Sequence, residues 1–199
     1  MGEKMKREIK LPKPKTKGEV SIEEALNKRR SVREYKHEAL KMEEVSQLLW
    51  AAGGRNLYRR TYPSAGATYP LEIYLASGEV GDLEPGLYHY IYTTHSLEKI
   101  NNQDIRRPLC KASLEQRMIE RAPVSFIITA DYQRTTNTYG QRGIRYVHME
   151  VGHVGQNLSL QAIALNIGTV MIGAFDDRRV KEILEIEEEP LYIIPAGRI

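Results

Sequence analysis

Apolar positions along this chain follow two periods, and each change of period marks an element. Val45, Leu48, Leu49 and Ala52 form one stripe at helical spacing from Lys41 to Ala52, and Gly53-Gly54 stops the run. A shorter helix is expected before it. Ser21-Ile22-Glu23-Glu24 is a capping box, with Ser21 as N-cap and Glu24 reaching back, so the helix should run to about Arg30. Residues 55–70 show no helical period, carry Pro63 and Pro70, and read as a loop.

Strands are expected at Leu71–Ala76, Leu87–Tyr92 and Leu97–Ile100, bounded by turn-forming GEVGDLEPG and TTHS. Residues 104–120 read as one or two short helices. Val124–Ala130 is an unbroken β-branched and aromatic run, as expected of a strand covered on both faces. The longest helical pattern spans 143–167. Val147, Val151, Val154, Leu158, Ala162 and Leu165 form its stripe, others widen it, and Gly168 is read as its end. A strand Thr169–Ile172 then leads to Asp176, the N-cap of a helix ending near Leu184, and the last strand is Leu191–Pro195. Strands and helices mix without βαβ alternation, which predicts an α+β fold with a mixed sheet flanked by helices. The long helix carries more apolar face than one small sheet needs. That excess predicts a subunit interface, where Gly152 and Gly155, one turn apart, would admit a second backbone.

A length of 199 residues gives one domain. No stretch approaches the roughly 20 apolar residues that span a bilayer, and MGEKMKREIK lacks a signal-peptide core. A cytoplasmic protein without a membrane partner is expected. The single Cys110 forms no internal disulfide. Net charge is +3, yet residues 1–18 alone hold seven basic side chains against two acidic ones, so the remainder is slightly acidic. The reading is a basic, Pro-containing arm over 1–18 and a single domain over 19–199. The body offers no basic face to continue the arm, so nucleic acid is not an expected partner.

Several common chemistries lack their residues. Ser64 is outside a G-x-S-x-G elbow because Tyr62 takes the first glycine's place, and there is neither a G-x-G-x-x-G nor a Walker lysine. His148 and His153 lie five apart, roughly 140° around a helix, so they share no metal-binding face. Glu150 and His153 have the i, i+3 spacing of a di-iron helix, but only one such pair occurs, and no metal is expected. Cys110 has no second cysteine to resolve it and is read as structural.

Two arginine-bearing places remain. Lys28-Arg29-Arg30-Ser31-Val32-Arg33-Glu34-Tyr35 follows the first helix. Its cations complement a helix C-terminus, and with the Ser31 hydroxyl they also suit a phosphate dianion. Pro195-Ala196-Gly197-Arg198 closes the chain with a glycine beside an arginine, either a ligand approach or a frayed end.

With these stretches, the sequence resembles the nitroreductase superfamily of FMN-dependent oxidoreductases. Within it, the branch it is most similar to is that of SagB-type, thiazole/oxazole-forming dehydrogenases. The resemblance rests on Arg29–Tyr35, on Pro63-Ser64-Ala65-Gly66-Ala67-Thr68-Tyr69-Pro70-Leu71-Glu72, on Glu150-Val151-Gly152-His153-Val154-Gly155-Gln156-Asn157-Leu158, and on Ile172-Gly173-Ala174-Phe175-Asp176, with Pro195–Arg198 as a weaker fifth stretch. It implies an intertwined α+β homodimer with two FMN sites across the interface. By position, Arg29, Arg30 and Ser31 would hold the phosphate and ribityl chain, and Arg33 would reach the pyrimidine end. Pro63, Ser64, Ala65 and Gly66 would come from the other subunit. Gly173 and Ala174 would face the flavin N5 edge, and Gly197 with Arg198 would close the phosphate pocket. Ala67 stands where many nitroreductases have asparagine. Thr138-Tyr139 stands nearest the lysine–tyrosine pair of the azoline oxidases, and a threonine cannot serve as that base.

The function expected from the resemblance is transfer of hydride from NAD(P)H through FMN to a small oxidised acceptor such as a nitroaromatic or quinone. The protein would orient and tune the flavin, with no obligatory side-chain acid or base. The alternatives are oxidation of a peptide heterocycle, or a non-catalytic flavin- or nucleic-acid-binding protein.

Overall fold

The computed structural model describes residues 8–199. Among them, seven strands form one sheet: β1 (Glu8–Lys10), β2 (Leu71–Ser77), β3 (Gly86–Ile91), β4 (Ser96–Asn101), β5 (Val124–Ala130), β6 (Ile167–Thr169) and β7 (Glu189–Arg198). Their order across the sheet is β1-β4-β3-β2-β5-β7-β6. The helices are α1 (Ile22–Lys28), α2 (Met42–Gly53), α3 (Arg106–Ala112), α4 (Met118–Arg121), α5 (Gln133–Tyr139), α6 (Arg142–Ala164) and α7 (Asp177–Leu184). The class is α+β, as expected.

The expected mixed sheet needs correction. All strand pairs are antiparallel, and parallel geometry is confined to isolated bridges at Ser31–Thr169 and Leu40–Val80. Connectivity accounts for part of this: β2, β3 and β4 form a meander whose links, residues 78–85 and 92–95, are shorter than a parallel crossover needs, whereas β6 and β7 pair antiparallel with α7 in the link between them. β5, buried at every residue, holds the middle of the sheet. Helices α2 and α6 cover one face, packing Leu48 and Val154 against Ile73 and Phe126. Helices α3, α4 and α7 cover the other, with Leu109, Ile119 and Val180 against Ile127 and Ile193.

Several ends differ from the sequence reading for local reasons. The Ser21 hydroxyl accepts from the Glu24 N–H, but the Glu24 carboxylate pairs with Lys28 and does not reach back. α6 stops at Ala164, before Gly168, because Asn166 takes the left-handed conformation (φ 56°) and turns the chain into β6. β7 runs through Pro195, which has no N–H for a ladder; β6 joins it only from Ala196 onward. α5 is too polar for a stripe, with only Thr135 buried.

The described part of the basic arm lies against the body. β1 pairs with β4, and Leu11 is buried. Lys15 N–H donates to Gln47 Oε1 at 2.8 Å, and Gln47 Nε2 returns a bond to the Lys15 carbonyl at 3.0 Å. Ser46 Oγ donates to the Pro12 carbonyl at 2.6 Å. Gly155 packs within the subunit against Met171 and Tyr192, whereas Gly152 faces open space. Only Gly152 keeps the room expected for a second backbone. No described helix is long and apolar enough to cross a membrane.

Candidate active site

After α1 the chain becomes extended and runs beside β6. Val32 N–H donates to the Thr169 carbonyl at 2.9 Å, and Ser31 forms the parallel bridge to the same residue. Val32 points inward and is buried, while Arg30, Ser31 and Arg33 are exposed and Arg29 is half-buried. The inward packing depends on Gly168, where a Cβ would come within 2.7 Å of Val32 and 2.5 Å of Ile199. Tyr35 then clips the segment to β7, its hydroxyl donating to the carbonyls of Val32 (3.0 Å) and Pro195 (3.3 Å). Lys36 N–H adds a bond to the Arg198 carbonyl at 3.0 Å. The two arginine-bearing places, 160 residues apart in sequence, are therefore neighbours.

Their arginines are in different electrostatic states. Among the described residues, Arg29, Arg30 and Arg33 have no carboxylate partner, and the Ser31 hydroxyl makes no hydrogen bond. Arg198 points the other way. Its Nη2 donates to Glu44 at 2.6 Å and its Nη1 to the Leu165 carbonyl at 3.2 Å. Gly197 is buried against Tyr35, where a Cβ would lie 2.7 Å from the ring. Within the single chain this corner is packed internally, with Glu44 as the counter-charge of Arg198.

The Pro63–Gly66 loop is built separately. Ser64 Oγ accepts from Tyr69 N–H at 2.9 Å, and Ala65–Ala67 form a 3-10 turn. Gly66 adopts φ +57°, and its missing Cβ leaves room for the Tyr139 hydroxyl, which would otherwise be 2.6 Å away. Thr68 Oγ1 meets Thr135 Oγ1 of α5 at 2.8 Å, and Asn157 of α6 donates to the Thr61 carbonyl at 3.0 Å. No hydrogen bond or ion pair joins this loop to the 29–33 segment among the described residues. Sequence reading missed the anchors Thr68 and Thr135; single threonines in polar stretches carry no period.

Gly173 and Ala174 form an exposed turn after the Ile172–Ile193 bridge, and the Ala174 carbonyl accepts from Gln116 Nε2 at 2.9 Å. The turn continues the strand that carries Thr169, so it and the arginine segment lie along one edge of the fold. Two open clefts, one along α7 and one lined by residues 78–85, contain none of these residues. Cys110 is buried and its thiol pushed up by desolvation, which suits a structural residue. His148 is bonded to the Tyr132 hydroxyl at 2.6 Å.

The donor set fits a phosphorylated cofactor. Among the described residues, three guanidinium groups without counter-ions and one free hydroxyl share a segment whose backbone is fixed by the sheet, and a dianion takes charge-assisted, forked hydrogen bonds from such groups.

Comparison with known proteins agrees with this architecture. The sequence pattern of the nitroreductase family matches residues 26–198. A protein of Methanocaldococcus jannaschii, provisionally named a nitroreductase, is 49% identical over 200 residues, 100% of this chain and 98% of that one. A crystal structure from Ralstonia eutropha, likewise provisionally named, superposes with a TM-score of 0.83 at 27% identity, covering 99% of this chain and 91% of that one. The microcin B17-processing protein of Escherichia coli is 26% identical over 137 residues, 65% of this chain and 50% of that protein. With an antiparallel sheet between two helical layers and a family match over nearly its whole body, this chain belongs to the nitroreductase family of oxidoreductases.

Proposed function

We propose that the protein is an FMN-dependent oxidoreductase working as a homodimer, with each flavin bound between subunits. The observation that carries this reading is the Arg29–Arg33 segment: three arginines and a hydroxyl without partners among the described residues, on a backbone fixed by Val32 and Thr169. Arg29, Arg30 and Ser31 hold the phosphate and ribityl end. Arg33 stands at the pyrimidine end, where a fixed positive charge favours negative charge developing on the ring. The Gly173-Ala174 turn offers its backbone to the N5 edge, and Arg198 supports the site from behind through Glu44. The partner's copy of the Pro63–Gly66 loop covers the ring, in keeping with the absence of bonds between that loop and the arginine segment in one chain.

Bound FMN would supply the redox chemistry, accepting hydride from NAD(P)H and giving it to an oxidised acceptor such as a nitroaromatic or quinone, while solvent supplies the remaining proton. The chain's own work is to bind, orient and shield, and no side chain is required to hold a proton on the acceptor. Purified protein should be yellow, and NADH or NADPH under anaerobic conditions should bleach it. A colourless protein that cannot be reconstituted with FMN would refute the proposal.

A second reading, oxidation of a peptide heterocycle, is favoured by the similarity to the microcin-processing protein and by Tyr139, whose hydroxyl lies over Gly66. Thr138 beside it offers no base. Oxidation of an azoline peptide by the yellow protein would select this reading over the reductase.

A further inference from the structure

One buried carboxyl is unused by the site as described. Glu150 lies on α6 with 2% of its surface exposed, and neither of its oxygens completes a hydrogen bond. The groups facing it are those of the Pro63–Gly66 loop and the segment entering it: the Ser64 hydroxyl, the Ala65 N–H and the Arg60 guanidinium. Arg60 is itself buried, its Nε donates to the Gly53 carbonyl at 2.9 Å, and its guanidinium lies over the rings of Tyr62, Tyr69 and Tyr92. The Tyr62 and Thr61 hydroxyls are also buried without partners. Glu150 is thus a buried carboxyl with both oxygens unbonded. A buried carboxyl costs stability unless it is hydrogen-bonded or paired.

We propose that Glu150 is a positioning residue: its buried, unpartnered carboxyl faces the Pro63–Gly66 loop and, once ionised, sets the loop's conformation by drawing the Ser64 hydroxyl and the Ala65 N–H into hydrogen bonds that the structure leaves unformed. The grip is stronger in the carboxylate than in the acid, since hydrogen bonds to an ionised acceptor are about twice as strong as neutral ones. Ser64 is arranged for this. Its oxygen already accepts from Tyr69 N–H, so its proton is left to donate. Ala65 N–H makes no other bond among the described residues. Arg60 is the charged group that acts on the carboxyl and favours its ionised form, and Tyr62 is a titratable neighbour that its own burial keeps protonated, with Glu150 adding to that effect. Burial opposes ionisation and brings the group's pKa to about 7, so both forms are populated near neutral pH. The loop becomes firmer as pH rises through that value.

The effect on flavin rests on the functional reading above; the effect on the loop does not. Hydrogen exchange of the peptide spanning residues 63–69, corrected for intrinsic rates, should show protection rising about tenfold between pH 6 and pH 8.5 in wild type. In Glu150→Gln the profile should be flat and low. Ser64→Ala, which removes one donor and leaves the core unchanged, should show a smaller rise shifted to higher pH. FMN affinity of the dimer, followed by flavin fluorescence, should track the same inflection. A Glu150→Gln profile equal to wild type, or protection that falls as pH rises, would overturn the proposal. Rising protection in a protein that binds no FMN would support it while removing the flavin reading.

Discussion

Val32 and Thr169 are joined by a 2.9 Å backbone hydrogen bond that turns a loop following a helix into an extra edge of the sheet. That bond fixes the alternation of the segment, with Val32 inward and Ser31 and Arg33 outward. Close approach at Gly168 makes the arrangement possible. Gly168→Ala should therefore lower stability by about 1–3 kcal/mol, read from denaturant unfolding, and displace the arginine segment. FMN affinity should fall with it. A stable variant with unchanged affinity would show that the segment tolerates movement.

Arg198 and Glu44 form a largely buried pair, 17% and 15% exposed. Removing Arg198 leaves Glu44 with an uncompensated charge, and removing Glu44 leaves Arg198 only the more distant Glu38 at 4.0 Å, so Arg198→Ala should cost about 2 kcal/mol and Glu44→Ala somewhat less. The double variant should lose less than the sum. FMN and riboflavin affinities should change together in Arg198→Ala, because this arginine acts on the fold and not on the phosphate.

Deleting residues 1–18 removes β1 and the contacts of Pro12 and Lys15 with α2, and leaves the β4 edge bare. The truncated protein should unfold at lower denaturant, yet retain its flavin-to-protein ratio. Loss of flavin from a folded truncation would place part of the site in the arm.

Glu150 sets a pH dependence of global stability. Its folded pKa of about 7 lies above its ordinary value of 4.5, so the folded state holds the proton more tightly. The stabilisation is complete below about 4.5 and is lost as pH rises through about 7, about 3 kcal/mol in all. Glu150→Gln should therefore be less sensitive to pH and more stable than wild type above pH 7, by urea unfolding. Ionisation firms one loop while it weakens the whole fold, because two donors do not offset the burial of a charge.

Much of the architecture was legible in the sequence because the buried elements carry strong periods. Val124–Ala130 was read to the residue, and Asp176 caps α7 through Arg179 N–H as expected. The polar α5 and the three-residue β1 were not legible, since tertiary contacts hold them without a period of their own. At the site, the arginine segment was visible as chemistry and the proximity of its two parts was expected from a common anion. The direction of Arg198 was hidden, because Glu44 reaches it from a distant helix. Glu150 was visible as a metal-like spacing and as the start of a family-like stretch, and its meaning came from burial beneath a loop that sequence alone does not place.

The central claim is that Arg29 holds the phosphate of a bound FMN, and paired titrations of FMN and riboflavin test it most directly. A lost charge-assisted hydrogen bond weakens binding by roughly one to two decades, so Arg29→Ala should lose about 10- to 100-fold in FMN affinity. Riboflavin, which has no phosphate, should lose far less. If the cations of this segment only complement the C-terminus of α1, the variant should lose a few tenths of a kcal/mol of stability. Equal losses for FMN and riboflavin, or no loss for either, would contradict the account.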